Sequence, residues 1–122
     1  MAAPVDRAHL DRLATRFGGH FLIQLIDLFI SQGRERLDAA QAGLAAGDVA
    51  AVVAAAHSLK SSAGNLGAGP LGQCAGDVER RGGTGGVSAE ALAPMVTTLS
   101  EAFVAAAAAL ETVRVDIERR TA

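Results

Sequence analysis

The sequence predicts an all-α protein, an up-down antiparallel four-helix bundle with a short additional N-terminal helix, and three observations predict it. Alanine dominates a chain that is 50% hydrophobic but only 3% aromatic, so helix formers are abundant and strand formers scarce. Five segments repeat their apolar residues at steps of three and four. The breaks between them are short and most carry glycine or proline, which makes successive helices antiparallel neighbours. At 122 residues one packed core can form but not two, so 1–122 is read as one domain.

Each element follows from its own residues. Asp6 can cap a first short helix in which Leu10, Leu13, Ala14 and Phe17 share a face before Gly18-Gly19 ends it. The second segment, about 20–46, places Phe21, Leu25, Leu28, Phe29, Leu37, Ala40 and Leu44 on one side. Gln32, Arg34, Glu35 and Asp38 fall mostly on the other, and Gly33 is read as loosening the middle. Gly47-Asp48 joins a helix-ending glycine to a helix-starting aspartate, so a third helix is expected over about 48–66. Gly67-Ala68-Gly69-Pro70 then sets a proline in the first turn of a fourth helix with core positions Leu71, Cys74, Ala75 and Val78. Gly82-Gly83-Thr84-Gly85-Gly86 reads as a flexible loop. Ser88 is a cap for the last helix, and Pro94 either kinks that helix or marks its true start. Beyond it Leu92, Val96, Leu99, Phe103, Ala106, Leu110, Val113 and Ile117 alternate steps of four and three, as in near-parallel helix packing.

Several functions are disfavoured. A net charge of −2 and few aromatic platforms argue against nucleic-acid binding. Met1-Ala2-Ala3-Pro4 is too short and mild for a signal peptide, and the longest apolar run, Phe103 to Leu110, falls short of the roughly 20 residues of a membrane span. With a lone cysteine, Cys74, the expectation is a soluble cytoplasmic protein without a membrane anchor. The initiating methionine and the charged Arg119-Arg120 tail read as an independent chain. His9 and His20 lack a ligand partner at i+4, so no bound metal is expected, and Cys74 lies in an apolar register as a core residue. Gly82 to Gly86 lacks the lysine of a phosphate-binding loop, and no nucleotide motif is present.

The third helix carries the informative residues. At 100° per residue, Val52, Ala56, Leu59, Ala63 and Leu66 form one apolar sector, about 180° to 260° from His57. Val53, Lys60, Ser61 and Gly64 lie within about 60° of the histidine. His57 therefore faces away from the core among one cation and small residues, with open space around its ring. An exposed imidazole is a competent nucleophile near neutral pH, and Lys60, one turn on, could donate to an arriving phosphoryl group. Angular position alone also fits an ordinary solvated histidine.

The run His57-Ser58-Leu59-Lys60-Ser61-Ser62-Ala63-Gly64-Asn65-Leu66-Gly67-Ala68, preceded by Ala56, resembles the signature of the histidine-containing phosphotransfer (HPt) domain family. In that family the order His, any residue, Leu, Lys, Gly, Ser, small, small, any, apolar, Gly, Ala sits on a helix of a four-helix bundle. Leu28-Phe29, Leu37 to Leu44, Gly47-Asp48 and Leu71 to Glu79 also look like the family layout, so the resemblance covers about residues 10–118. It implies that His57 is phosphorylated with Lys60 as the neighbouring cation. It implies a carrier without kinase activity of its own, taking a phosphoryl group from a receiver-domain aspartyl phosphate or hybrid histidine kinase and passing it to another response-regulator receiver. No intrinsic cofactor is implied; Mg²⁺ belongs to the partner receiver, and the carrier is expected to be a monomer.

Docking is expected around His57, on Ala50, Val53, Ala54, Ser61 and Gly64. Ser61 departs from the usual glycine, which bears on partner preference more than on phosphorylation. In related domains a polar residue on the following helix orients the imidazole, and Glu79 stands where it could reach; it also reads as an ordinary exposed glutamate among Asp77, Arg80 and Arg81. Two rival readings are a helical docking module that lost phosphotransfer and an enzyme using His57 as acid or base. The second lacks a partner acid, base or nucleophile on the His57 face.

Overall fold

Local chemistry sets the helix boundaries. The computed structural model describes residues 3–121, so Met1, Ala2 and Ala122, which the signal-peptide and domain readings include, lie outside the described residues. The helices are α1 (Arg7–Phe17), α2 (Gly19–Ala46), α3 (Val49–Asn65), α4 (Gly69–Gly83) and α5 (Ala89–Thr121), and no strand occurs among the described residues. Asp6 accepts from His9 N–H to cap α1, and Asp48 accepts from Ala51 N–H to cap α3. Gly47 ends α2 in the left-handed region at φ 70°, where its N–H satisfies the last carbonyls of that helix.

Helix α3 packs between α2 and α4, and α5 closes the ring against α4 and α2, which makes the predicted bundle. Helix α1 packs on α2 and covers one end. Its anchors are the Asp6 N–H to Gly67 carbonyl bond at 2.9 Å, the His9 Nε2 donor to the Asn65 carbonyl at 2.9 Å, and the Arg7–Asp116 ion pair at 3.1 Å. Leu10 is thereby fully buried, and every residue of the predicted α5 stripe from Leu92 to Ile117 lies in the core. Each such leucine contributes roughly 2 kcal/mol relative to exposure.

Five expectations need correction. In α2 the buried set is Leu22, Ile26, Phe29, Ile30, Gly33, Ala40 and Gly43, while Phe21 and Leu28 are exposed. Phe29 and Ala40 of the expected face are buried and Leu25, Leu37 and Leu44 pack against the core, so contact with α3 and α5 turns the buried stripe toward Leu22, Ile26 and Ile30 and leaves Phe21 and Leu28 outside it. Gly33 does not loosen the helix; it is buried where a Cβ would overlap the Phe103 ring, so it marks a close approach of α2 to α5. Gly82 and Gly83 belong to α4 rather than to the following loop. Cys74 is only half-buried, and burial first, then Asp77, pushes its thiol up, away from the reactive thiolate. Finally, α5 is long and apolar enough to cross a membrane by length and composition, which counting one uninterrupted run missed; here its apolar stripe is packed inside the bundle.

The choice over Pro94 is also resolved. Ser88 Oγ accepts from Ala91 N–H, α5 begins at Ala89, and Pro94 lies inside the helix. The N–H that proline lacks would have served the carbonyl of Glu90, on an exposed face where water can replace it.

Candidate functional site

The middle of α3 behaves as its angular pattern requires. Val52, Ala55, Ala56, Leu59 and Ala63 are buried, and the side chain of His57 is 61% exposed. Helix α4 runs antiparallel beside it. Leu71, Ala75 and Val78 turn into the core, while Gly72, Gly76 and Glu79, one position further on, border α3.

Glu79 joins the site together. Its Oε2 accepts from His57 Nδ1 at 2.5 Å, and its Oε1 accepts from Lys60 Nζ at 2.6 Å. The Lys60 ammonium first, then His57, holds the Glu79 carboxyl below the usual carboxylate range, so it is ionised throughout neutral pH. An ionised carboxylate only accepts, so the proton of a neutral His57 ring sits on Nδ1 and the lone pair on Nε2. The arrangement fixes both the rotamer and the nucleophilic nitrogen of an exposed imidazole. Asp77 and Arg80 pair with each other rather than with the histidine.

The remaining expected site residues divide. Ala50, Ala54, Ser61 and Gly64 are exposed, and a Cβ at Gly64 would meet nothing, so that glycine leaves the outer surface open. Val53 departs from the expected docking surround: it is half-buried, and its Cγ2 occupies the place a Cβ on Gly82 would take. That packing against α4 removes much of its side chain from a partner's reach.

Two features escaped sequence reasoning. Gly76 is buried beneath the Lys60 stem and the Arg80 guanidinium, where a Cβ would stand 3.5 Å from Lys60 Cδ and 3.2 Å from Arg80 Nη1. The four-residue interval from Gly72 to Gly76 on a helix facing α3 is the signal that could have exposed it. The second is an apolar surface on the α1–α2 side: Phe17, Phe21 and Leu28 are 53%, 44% and 52% exposed, and the two rings lie 5.4 Å apart. A shallow groove lined by Leu25, Leu28, Gln32, Ser62 and Asn65 connects that surface to α3 one turn beyond Ser61. The i, i+4, i+7 spacing of Phe21, Leu25 and Leu28 was visible but had been assigned inward.

A helical bundle that presents an oriented histidine on an open helix face has the form of a histidine carrier, a site that meets its reaction partner on another protein. The comparisons agree. A family model described as the Hpt domain matches residues 24–116, and the chain belongs to that family. Histidine-containing phosphotransfer protein B of Pseudomonas aeruginosa superposes with a TM-score of 0.80 at 27% identity, over 95% of this chain and 98% of that one. The HPT domain of a sensor hybrid histidine kinase from Shewanella shares the fold, with a TM-score of 0.73 at 16% identity over 88% and 92% of the two chains. No curated protein sequence matches. The chain is a phosphotransfer protein of two-component signalling, of a family whose members are phosphocarriers rather than enzymes and interact with receiver and kinase domains.

Proposed function

We propose that His57 is the phosphoacceptor of a phosphorelay, taking the phosphoryl group from a receiver aspartyl phosphate, or from a hybrid histidine kinase that carries one, and passing it to a second receiver. The observation that carries this reading is the Glu79 contact at Nδ1, which leaves Nε2 as an exposed nucleophile on the motif helix. In the forward step the Nε2 lone pair attacks phosphorus, the P–O bond to the donor aspartate breaks, and that carboxylate leaves. The proton on Nδ1 stays in place, so the ring becomes cationic beside Glu79. Lys60 then offers its ammonium to the phosphoryl oxygens. The receiver supplies Mg²⁺ and the acidic pocket, and this chain supplies position and charge.

Docking uses the open face around His57, with Ala50, Ala54, Ser61 and Gly64 closest to the ring. The surface formed by Phe17, Phe21 and Leu28 extends it along α2 as the larger apolar area for a receiver to cover. Work in the cytoplasm as a monomer completes the reading.

The test is phosphoryl transfer from a panel of phosphorylated receiver domains to the wild-type chain and to His57→Gln. Acid-labile, alkali-stable label on the wild type and none on the variant is the expected result. Because His57 is exposed, the variant should keep its helicity and its Tm. Label that persists in His57→Gln, or a wild type that no receiver labels, would overturn the assignment.

A further inference from the structure

We propose that Glu79 is the residue that keeps the phosphoryl group on His57 transferable, by holding a proton on Nδ1 while Nε2 carries the phosphorus. This rests on the phosphoacceptor reading above and concerns what happens after His57 is charged. The decisive feature is that the partner at Nδ1 is a carboxylate and that its two oxygens serve different groups, His57 on one and Lys60 on the other.

The chemistry of the P–N bond gives the carboxylate its role. When the bond breaks, its electron pair returns to Nε2. If Nδ1 carries a proton, the leaving group is neutral imidazole; if it does not, the leaving group is an imidazolate, a far poorer one. A neutral acceptor at Nδ1 could orient the ring, but only an anion also compensates the positive charge of the protonated phosphoimidazole. Glu79 does both from 2.5 Å.

Lys60 couples this effect to phosphorylation. In the uncharged protein its ammonium neutralises Glu79 at 2.6 Å, with its stem laid across Gly76. A phosphoryl group on Nε2 adds negative charge on the outer side of the ring and competes for that ammonium. As Lys60 turns toward the phosphoryl oxygens, the charge of Glu79 is left to the imidazolium. The same three side chains thus pair differently before and after phosphorylation. Other charges near the ring are few: Asp77 and Arg80 on α4 are paired to each other, and the charged residue on the α3-facing stripe of α2 is Arg36, one turn beyond Gln32. Neither the Asp77–Arg80 pair nor the Arg36 cation supplies a second anion at Nδ1.

The experiment uses the full chain and phosphoramidate as a small-molecule donor, so that no receiver identity is needed. Wild type, Glu79→Gln and His57→Gln are labelled, freed of reagent, and followed by phosphorus NMR as the phosphohistidine hydrolyses between pH 5 and pH 9. In hydrolysis a water oxygen bonds to phosphorus, the P–N bond breaks with its electrons going to Nε2, and the water releases a proton to solvent. The His57→Gln chain measures label on His9 and His20. With Glu79→Gln the profile should move about one unit to lower pH, so that loss of label is unchanged at pH 5 and about tenfold slower at pH 8. A residue that merely braced the ring would change the extent of labelling without moving the pH profile.

Superimposable profiles for wild type and Glu79→Gln would overturn the role of Glu79 while leaving the phosphoacceptor reading intact. A Glu79→Gln chain that is folded but takes no label also counts against it, because the amide oxygen can still accept from Nδ1. A wild type that takes no label above the His57→Gln background would instead remove the reading on which the proposal stands.

Discussion

Replacing Gly33 by alanine sets two accounts of one residue against each other with opposite signs. Within a 28-residue helix a glycine costs about 1 kcal/mol relative to alanine, so on propensity alone the substitution would stabilise the protein. Packing reverses that expectation. A Cβ at Gly33 would stand 2.7 Å from Phe103 Cζ and 3.1 Å from Cδ1, and nearer still to Cε1. Phe103 is 3% exposed and stacks on Phe29 with a centroid separation of 5.8 Å, so its ring has little room to retreat. Overfilling a packed core costs about 1–3 kcal/mol. Subtracting about 1 kcal/mol of regained helix propensity leaves a net loss of about 1 kcal/mol, or a fall in Tm of roughly 4 °C for a chain of this length. Thermal melting followed by far-ultraviolet circular dichroism reads this directly. In a Phe103→Leu background the obstruction is gone, and the same glycine-to-alanine change should become neutral or stabilising. A Tm that rises by several degrees in the otherwise wild-type chain would refute the close-approach argument and restore the loosening one.

Two further outcomes follow from the site itself. Lys60→Ala should lower the rate of phosphoryl uptake by about three- to tenfold, a modest figure because the ammonium is well exposed, with Tm unchanged; stopped-flow transfer from a receiver measures it, and an unaltered rate would remove Lys60 from the reaction. The double substitution Phe21→Ser and Leu28→Ser should weaken receiver binding by about tenfold or more, since each residue removes part of an exposed apolar surface without emptying the core; calorimetric titration tests this, and unchanged affinity would confine docking to the immediate surround of His57.

What the sequence made legible was decided by local rules. Asp6, Asp48 and Gly47 act within one turn of their own position, so the ends they set were readable without knowing the fold. The α3 sector and the α5 stripe were readable because each has one apolar face. Helix α2 was readable in part: Phe29 and Ala40 fall inward as its pattern suggests, but Phe21 and Leu28 lie beside Leu22, Ile26 and Ile30, and the choice between adjacent apolar positions is made by the helices that pack on them. The same limit applies to Gly33 and Gly82, whose neighbours Phe103 and Val53 are far away in sequence. At the site, His57 and Lys60 could be placed by angle within one helix. The link through Glu79 depends on how α4 lies against α3, which spacing along α3 does not contain.

That interhelical link answers a conflict built into any carrier histidine. The ring has to be exposed for a partner's aspartate to reach it, yet an exposed side chain keeps its rotamer freedom, and ordering it at the moment of transfer costs on the order of 1 kcal/mol. Packing the ring would fix it but also cover it. A carboxylate reaching from the neighbouring helix holds Nδ1 from the side and leaves Nε2 uncovered. For a side chain as short as glutamate to reach across, the two helices have to lie close, and the border between them is lined with residues that permit this. A Cβ on Gly72 would already be 3.6 Å from the Ala63 methyl, Gly76 lies under the Lys60 stem, and Gly82 yields its place to Val53. Gly82 is the position that demands the close approach, since a Cβ there would overlap Val53 Cγ2, whereas Cβ atoms at Gly72 and Gly76 would meet α3 at ordinary contact distances; the small residues along α4 thus admit the spacing at which one carboxylate holds both His57 and Lys60.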